Sequence, residues 1–223
     1  MGTIAKNMRH FIDLIPNHVK IVAVSKTKPN EDILEAYNQG QRIFGENKAQ
    51  DLAAKAEVLP SDIQWHFIGH LQTNKVKYIA PFVTLLHAVD SFKLLAEINK
   101  QAKKNDRIIS CLLQFHIASE ETKFGLDMTE AIAILEDVRF KDLKNIEIIG
   151  VMGMATYIDD ELVIRKEFGH LASNFKELKA SFFKEQDSFR EISMGMSGDY
   201  QLAIEEGSTM VRVGSSIFGA RNY

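Results

Sequence analysis

The sequence predicts an α/β fold: a (β/α)8 barrel of the TIM type with an extra N-terminal helix, forming one domain over residues 1–223. Three observations lead there. Short apolar runs alternate with amphipathic stretches along the chain, as strands and helices do in barrels and doubly wound sheets. The runs reach eight, and several are apolar without alternation, which marks parallel strands covered on both faces. Polar residues then gather just after the runs, at the strand ends where barrels carry their functional groups. An open doubly wound sheet is the competing architecture. The count of eight and the absence of a dinucleotide fingerprint after the first run weigh against it.

The runs are KIVAVS (20–25), RIFG (42–45), QWHFIG (64–69), TLLHAV (84–89), IISCLLQFHI (108–117), IEIIGVM (146–152), REISM (190–194) and MVRVG (210–214). Helices fit between them. EDILEAYNQG (31–40) closes on Gly40, which can turn left-handed because it has no Cβ to clash. Asp127 with Glu130 three residues on has the spacing of a capping box. In residues 161–183, Ile164, Phe168, Leu171, Phe175, Leu178 and Phe182 trace one apolar stripe at steps of four and three. Asp199 is placed to cap YQLAIEE, and Gly207 ends that helix.

Composition narrows the function. A net charge of -3 with mixed signs gives no electrostatic reason to bind nucleic acid or an anionic membrane. Cys111 stands alone in IISCLLQF, so it reads as a core residue with no internal disulfide or zinc spacing. The N-terminal MGTIAKNMRHFIDLI is charged where a signal peptide needs an apolar run, and Lys6 occupies the Ser/Thr position of a myristoylation motif. IAPFVTLLHAV is too short to span a bilayer. A cytoplasmic location is expected.

The residues after the runs are Lys26, Glu46 with Asn47, His70, Asp90, His116, Met154 with Thr156, Ser197, and Gly214 with Ser215 and Ser216. A lysine at a dry barrel rim is pushed toward its neutral amine by desolvation, the form that condenses with an aldehyde. Lys26 fits that description, and it fits equally a lysine reaching from a strand end into solvent. Lys28 lies beyond the strand end, as Pro29 indicates. Glycines and serines in SMGMSGD and GSTMVRVGSSIFGAR let a ligand approach the backbone where barrels often hold phosphate, though they also make tight turns. Arg212 interrupts an apolar strand and needs a partner, either a structural carboxylate or a ligand acceptor in the barrel mouth. His66, His70 and His116 could act as acids or bases, but they have no metal-ligand pattern, and hydrogen-bonded core histidines are at least as common. No GxSxG, P-loop, HExxH or paired-cysteine signature is present.

In order and spacing, AVSKTKP, FGEN, WHFIGHLQTNK, EETKFG, GVMGMAT and SMGMSGDYQLAIEEGSTMVRVGSSIFGAR resemble the pyridoxal phosphate homeostasis proteins. The resemblance covers nearly the whole chain from residue 21. It implies a barrel similar to the N-terminal domain of bacterial alanine racemase that binds pyridoxal 5'-phosphate (PLP). Residue by residue, it makes Lys26 the lysine of a covalent aldimine and sets Asn47 near the cofactor. Ser197, Gly214 and Ser215 would hold the phosphate, Arg212 would face the pyridine nitrogen, and Met154 and Met196 would flank the ring or its phosphate arm. Gly198, where relatives usually carry a polar residue, and His116, where asparagine is common, depart from the pattern.

The resemblance also bears on activity. Guanidinium only donates, so a ring nitrogen facing Arg212 must accept and stay unprotonated, which weakens the cofactor as an electron sink. Alanine racemase adds a second domain that supplies a tyrosine base, and this chain ends at Tyr223, directly after the barrel. The expectation is therefore a monomeric, non-catalytic PLP protein that buffers or delivers the cofactor. Its partners would be PLP and apo-PLP-dependent enzymes, with no nucleic acid and no membrane. A one-domain amino-acid racemase is the main alternative, and a PLP-independent barrel enzyme acting on a phosphorylated metabolite is a weaker one.

Overall fold

The computed structural model describes residues 2–119 and 124–220. Helix α1 (Thr3–Leu14) precedes β1 (Lys20–Val24), α2 (Asn30–Tyr37), β2 (Ile43–Glu46), α3 (Ala49–Val58) and β3 (Gln64–Phe67). There follow α4 (Val76–Ile79), β4 (Leu85–Val89), α5 (Phe92–Lys104), β5 (Ile109–Gln114), α6 (Met128–Glu136) and β6 (Ile146–Met152). The chain continues through α7 (Glu161–Ser181), β7 (Glu191–Met196), α8 (Tyr200–Glu205), β8 (Met210–Val213) and α9 (Ser215–Phe218).

The strands pair in parallel and in sequence order, and β8 returns to β1 to close the barrel, with Lys20 opposite Met210 and Val22 opposite Arg212. Successive side chains of a strand point to opposite faces, so each strand feeds two cores. Val22, Leu112 and Met210 belong to a small cluster that fills the barrel interior with Leu85, Ala88 and Met152. Their neighbours Ala23, Cys111, Leu113 and Val211 belong to the larger core between strands and helices. Burial pushes the Cys111 thiol well up, consistent with an inert core residue.

The helical signals mostly act as read. Gly40 and Gly207 take φ of +96° and +98°. Asp127 and Glu130 form the reciprocal capping box of α6. Ile164, Phe168, Leu171 and Leu178 bury the inner face of α7, and α7 stops at Ser181, short of residue 183. Asp199 departs from expectation. It occupies the N-cap position of α8, but its carboxylate accepts no amide of that helix and turns back to the N–H of Met196. The fifth strand is also shorter than its apolar run, ending at Gln114 with a register shift between Cys111 and Leu112.

Candidate functional site

A cavity of about 900 Å³ opens at the C-terminal ends of the strands. Lys26, Asn47, Met154, Met196, Ser197, Arg212, Gly214 and Ser215 all line it, drawn from the ends of β1, β2, β6, β7 and β8. His70 and Thr156 line it as well, whereas Glu46, Asp90 and His116 do not.

The wall at β1 is braced from behind. Glu46 is the last residue of β2 and fully buried, turned away from the cavity toward α3. Its Oε1 accepts from the Ser25 hydroxyl at 2.6 Å and from Lys55 Nζ at 2.6 Å, and Lys55 also donates to the Ser25 carbonyl at 2.9 Å. Ser25, one residue before Lys26, is thereby fixed through both its side chain and its backbone. The turn after Lys26 is strained, because Thr27 holds φ at +64°, a region costly for a β-branched residue. Lys28 is engaged elsewhere, donating to the carbonyls of Phe218 and Ala220 at 2.9 and 3.0 Å.

The adjoining wall, at β7 and β8, is built by close backbone approach. Gly214 packs so near β1 that a Cβ there would lie 3.3 Å from both Val24 Cβ and the Val24 carbonyl oxygen. Its amide donates to Ser197 Oγ at 3.2 Å, joining the ends of β7 and β8. The first amides of a helix have no partner within it, so those of Ser215 and Ser216 begin α9 at the cavity wall with donors to offer.

Arg212 forms the floor, 4% exposed. Its Nη1 donates to the Ser193 carbonyl at 2.8 Å and to Ser193 Oγ at 2.7 Å, and its Nη2 donates to the Gly153 carbonyl at 3.0 Å. Among the described residues the oxygens that receive its hydrogen bonds are neutral, while the carboxylate of Asp199 acts on it through its charge and favours the charged guanidinium. Burial lowers the guanidinium to about 10, which keeps it charged at neutral pH.

Several residues in or behind the cavity wall were not singled out from the sequence. Gln114 is buried and donates to the Phe124 carbonyl at 2.8 Å, shaping the rim. Phe124 stacks on His70 with ring centroids 4.3 Å apart, and His70 Nδ1 lies 3.5 Å from Asp90. Buried Glu167 on α7 accepts from the backbone and hydroxyl of both Thr156 and Ser119, tying two rim loops together. Gln114 was hidden inside an apolar run that overran the strand end. Glu167 gave no signal, since it sits among the charges of an amphipathic helix.

The chain matches the family of the alanine racemase N-terminal domain over residues 1–222. A pyridoxal phosphate homeostasis protein of Aquifex aeolicus is 39% identical over 209 residues, covering 93% of this chain and 89% of that protein. The Homo sapiens protein of that name is 41% identical over 221 residues, covering 95% and 80%. The chain belongs to the pyridoxal phosphate homeostasis protein family. Among solved structures of similar chains, PipY of Synechococcus elongatus PCC7942 with PLP bound superposes with a TM-score of 0.86. It is 33% identical, with 97% of this chain and 100% of that chain covered.

The motifs that carry the resemblance to the homeostasis proteins converge on this cavity, although residues 120–123 of EETKFG and Arg221 lie outside the described residues. The paired Met-Gly-Met segments become intelligible here. Met154 and Met196 line the cavity, whereas Met152 and Met194 are buried in the inner and outer cores. The glycines between them make room rather than contact: a Cβ on Gly153 would meet Ile117 at 2.8 Å, and one on Gly195 would meet Ala203 at 2.6 Å.

Proposed function

We propose that this protein binds PLP in the barrel-mouth cavity, holds it covalently through Lys26, and buffers or delivers it without turning over a substrate. The observation that carries the reading is the convergence, on one cavity, of an amine, a buried arginine and an amide-rich wall. These are complementary to the aldehyde, ring nitrogen and phosphate of PLP. The naming of close relatives as homeostasis proteins, and the PLP in PipY, support the same ligand.

The residues fit the group chemically. Lys26 supplies the amine that condenses with the aldehyde carbon. Ser197 and Ser215 offer hydroxyl and backbone donors to the phosphate, the Gly214 amide would leave Ser197 Oγ to join them, and Asn47 and the sulfurs of Met154 and Met196 face the ring and its arm. Arg212 presents donors alone, so the ring nitrogen beside it accepts and carries no proton. Bound PLP supplies an electron sink for carbanions, and an unprotonated ring weakens that sink. Arg212 thus favours holding over turnover.

The same reading makes the chain a single-domain monomer in the cytoplasm whose partners are PLP and apo-PLP-dependent enzymes. Among the described residues no helix is long and apolar enough to cross a membrane, and no group of acidic, histidine or cysteine side chains could hold a metal ion. The test is borohydride reduction of PLP-loaded protein followed by peptide mass mapping, which should find one label, on Lys26. Loaded protein should also reactivate an apo-PLP enzyme and racemise no amino acid. Robust racemase activity would replace this reading with the enzymatic one.

A further inference from the structure

Behind the cavity floor, a line of buried polar side chains crosses the barrel. Ser193 Oγ, which receives Arg212 Nη1 at 2.7 Å, lies 2.9 Å from His87 Nδ1, and His87 Nε2 lies 3.0 Å from His66 Nδ1. Ser193 and His87 are fully buried and His66 is 3% exposed. The residues come from β8, β7, β4 and β3, so the line spans the interior from one side to the other.

The chemistry of arginine gives this line a direction. A guanidinium has only donors, so Ser193 must accept from it and has its own hydrogen left to give. That hydrogen goes to His87 Nδ1, which places the His87 proton on Nε2. His87 then donates to His66 Nδ1, which places the His66 proton on its Nε2. The reverse arrangement would aim both Arg212 and His87 at Ser193 and leave its hydroxyl hydrogen without an acceptor in a dry interior, a costly outcome.

We infer that Ser193, His87 and His66 are positioning residues for Arg212, forming a one-way hydrogen-bond chain whose protons all point away from the cavity. The chain holds the guanidinium in one orientation and, because arginine cannot accept, passes no proton to a ligand above it. The role deepens the proposed PLP reading, in which Arg212 meets the ring nitrogen, and rests on it. Both imidazoles must be neutral for the chain to exist. Burial, helped by the charge of Lys20, pushes His66 down to about 3. Burial and the neighbouring His66 and Arg212 hold His87 well below its ordinary value.

The first test needs no cofactor. Nitrogen-15 NMR of the wild-type histidine side chains should find His66 and His87 neutral at pH 7, each protonated on Nε2. A charged ring or an Nδ1–H tautomer at His87 would overturn the inference. The second compares two variants loaded with PLP. Glutamine can accept from Ser193 and donate onward to His66, so His87→Gln should keep the wild-type absorption band and release rate. His87→Phe ends the chain at Ser193 and should shift the band and speed release about tenfold, the effect of losing roughly one hydrogen bond's worth of positioning. An unshifted His87→Phe protein would overturn the positioning role. Wild-type protein that takes up no PLP would instead defeat the proposed function, and the NMR result would still decide the chain.

Discussion

Lys55 on α3 and Glu46 at the end of β2 form an ion pair of 2.6 Å behind the turn that carries Lys26. Glu46 is fully buried, its Oε2 has no hydrogen-bond partner among the described residues, and the side chain of Lys55 is 12% exposed. Removing one member of a buried pair leaves the other charge uncompensated. Lys55→Met should therefore destabilise the protein by about 3–5 kcal/mol in urea unfolding. A Lys55→Met/Glu46→Leu double variant should recover much of that loss. Equal losses in the single and double variants would show that the uncompensated Glu46 charge is not the source of the cost.

Thr27 holds a left-handed backbone at φ +64°, immediately after Lys26. Asparagine tolerates that region better than a β-branched residue does. Thr27→Asn should raise stability by about 0.5–1 kcal/mol, measured as an increase in Tm. An unchanged or lower Tm would mean that the threonine side chain offsets its own strain.

Gly195 combines φ of +93° with a site where a Cβ would lie 2.6 Å from Ala203 Cβ and 3.1 Å from Tyr200 Cα. Gly195→Ala should cost about 2 kcal/mol or more by forcing β7 and α8 apart. The displacement should also weaken binding at Ser197, two residues on, read as a faster release of PLP. At Gly153, the atoms a Cβ would meet are flexible side-chain ends of Ile117 and Leu171, so Gly153→Ala should cost less.

The buried histidines predict a pH dependence. His66 titrates near 3 when folded and, when unfolded, near its ordinary value of about 6.5. Between those values the unfolded chain binds the extra proton, so stability rises with pH through that window and is complete above it. Each such histidine contributes a slope of up to about 1.4 kcal/mol per pH unit. Urea unfolding of His66→Gln from pH 6 to pH 4 should show a correspondingly shallower slope than wild type. Parallel slopes would place the acid sensitivity elsewhere.

Lys26→Ala should abolish borohydride labelling while leaving weak PLP binding that free phosphate competes away, because the serine and backbone donors remain. The fold should survive, since Lys26 lies in the turn just past β1 and Ser25 carries the bracing contacts. Labelling that persists would move the covalent bond to another lysine. Lys28 is a poor candidate, given that its ammonium already serves two carbonyls of the final turn.

The barrel was legible because parallel strands buried on both faces leave apolar runs, and each run here corresponds to a strand. The strand-end residues that line the cavity were legible for a related reason: a lysine, arginine or glycine-serine pair against apolar sequence is conspicuous. His87 was not, because a histidine inside TLLHAV looks like any other interior position until His66 and Ser193 are brought beside it. Glu46 misled, because sequence adjacency to Asn47 says nothing of which face each takes, and successive strand residues face opposite ways. Asp199 had the position of a cap without its bond, since one rotamer serves Met196 instead.

Barrel closure joins the first strand to the last, and Lys28 reaches the Phe218 carbonyl across a sequence separation of 190 residues. Contacts of that separation carry the largest loop-closure cost and form against the slowest search. Lys26 stands on one side of this seam, while Ser197 and Gly214 stand on the other. PLP bonded to Lys26 and held by Ser197 and Gly214, as proposed, would be a clasp over the join, tying together the parts of the chain that were hardest to bring into contact. PLP supply would then be written into the lifetime of the closed barrel itself, with full protein resisting unfolding and empty protein parting first along β1 and β8.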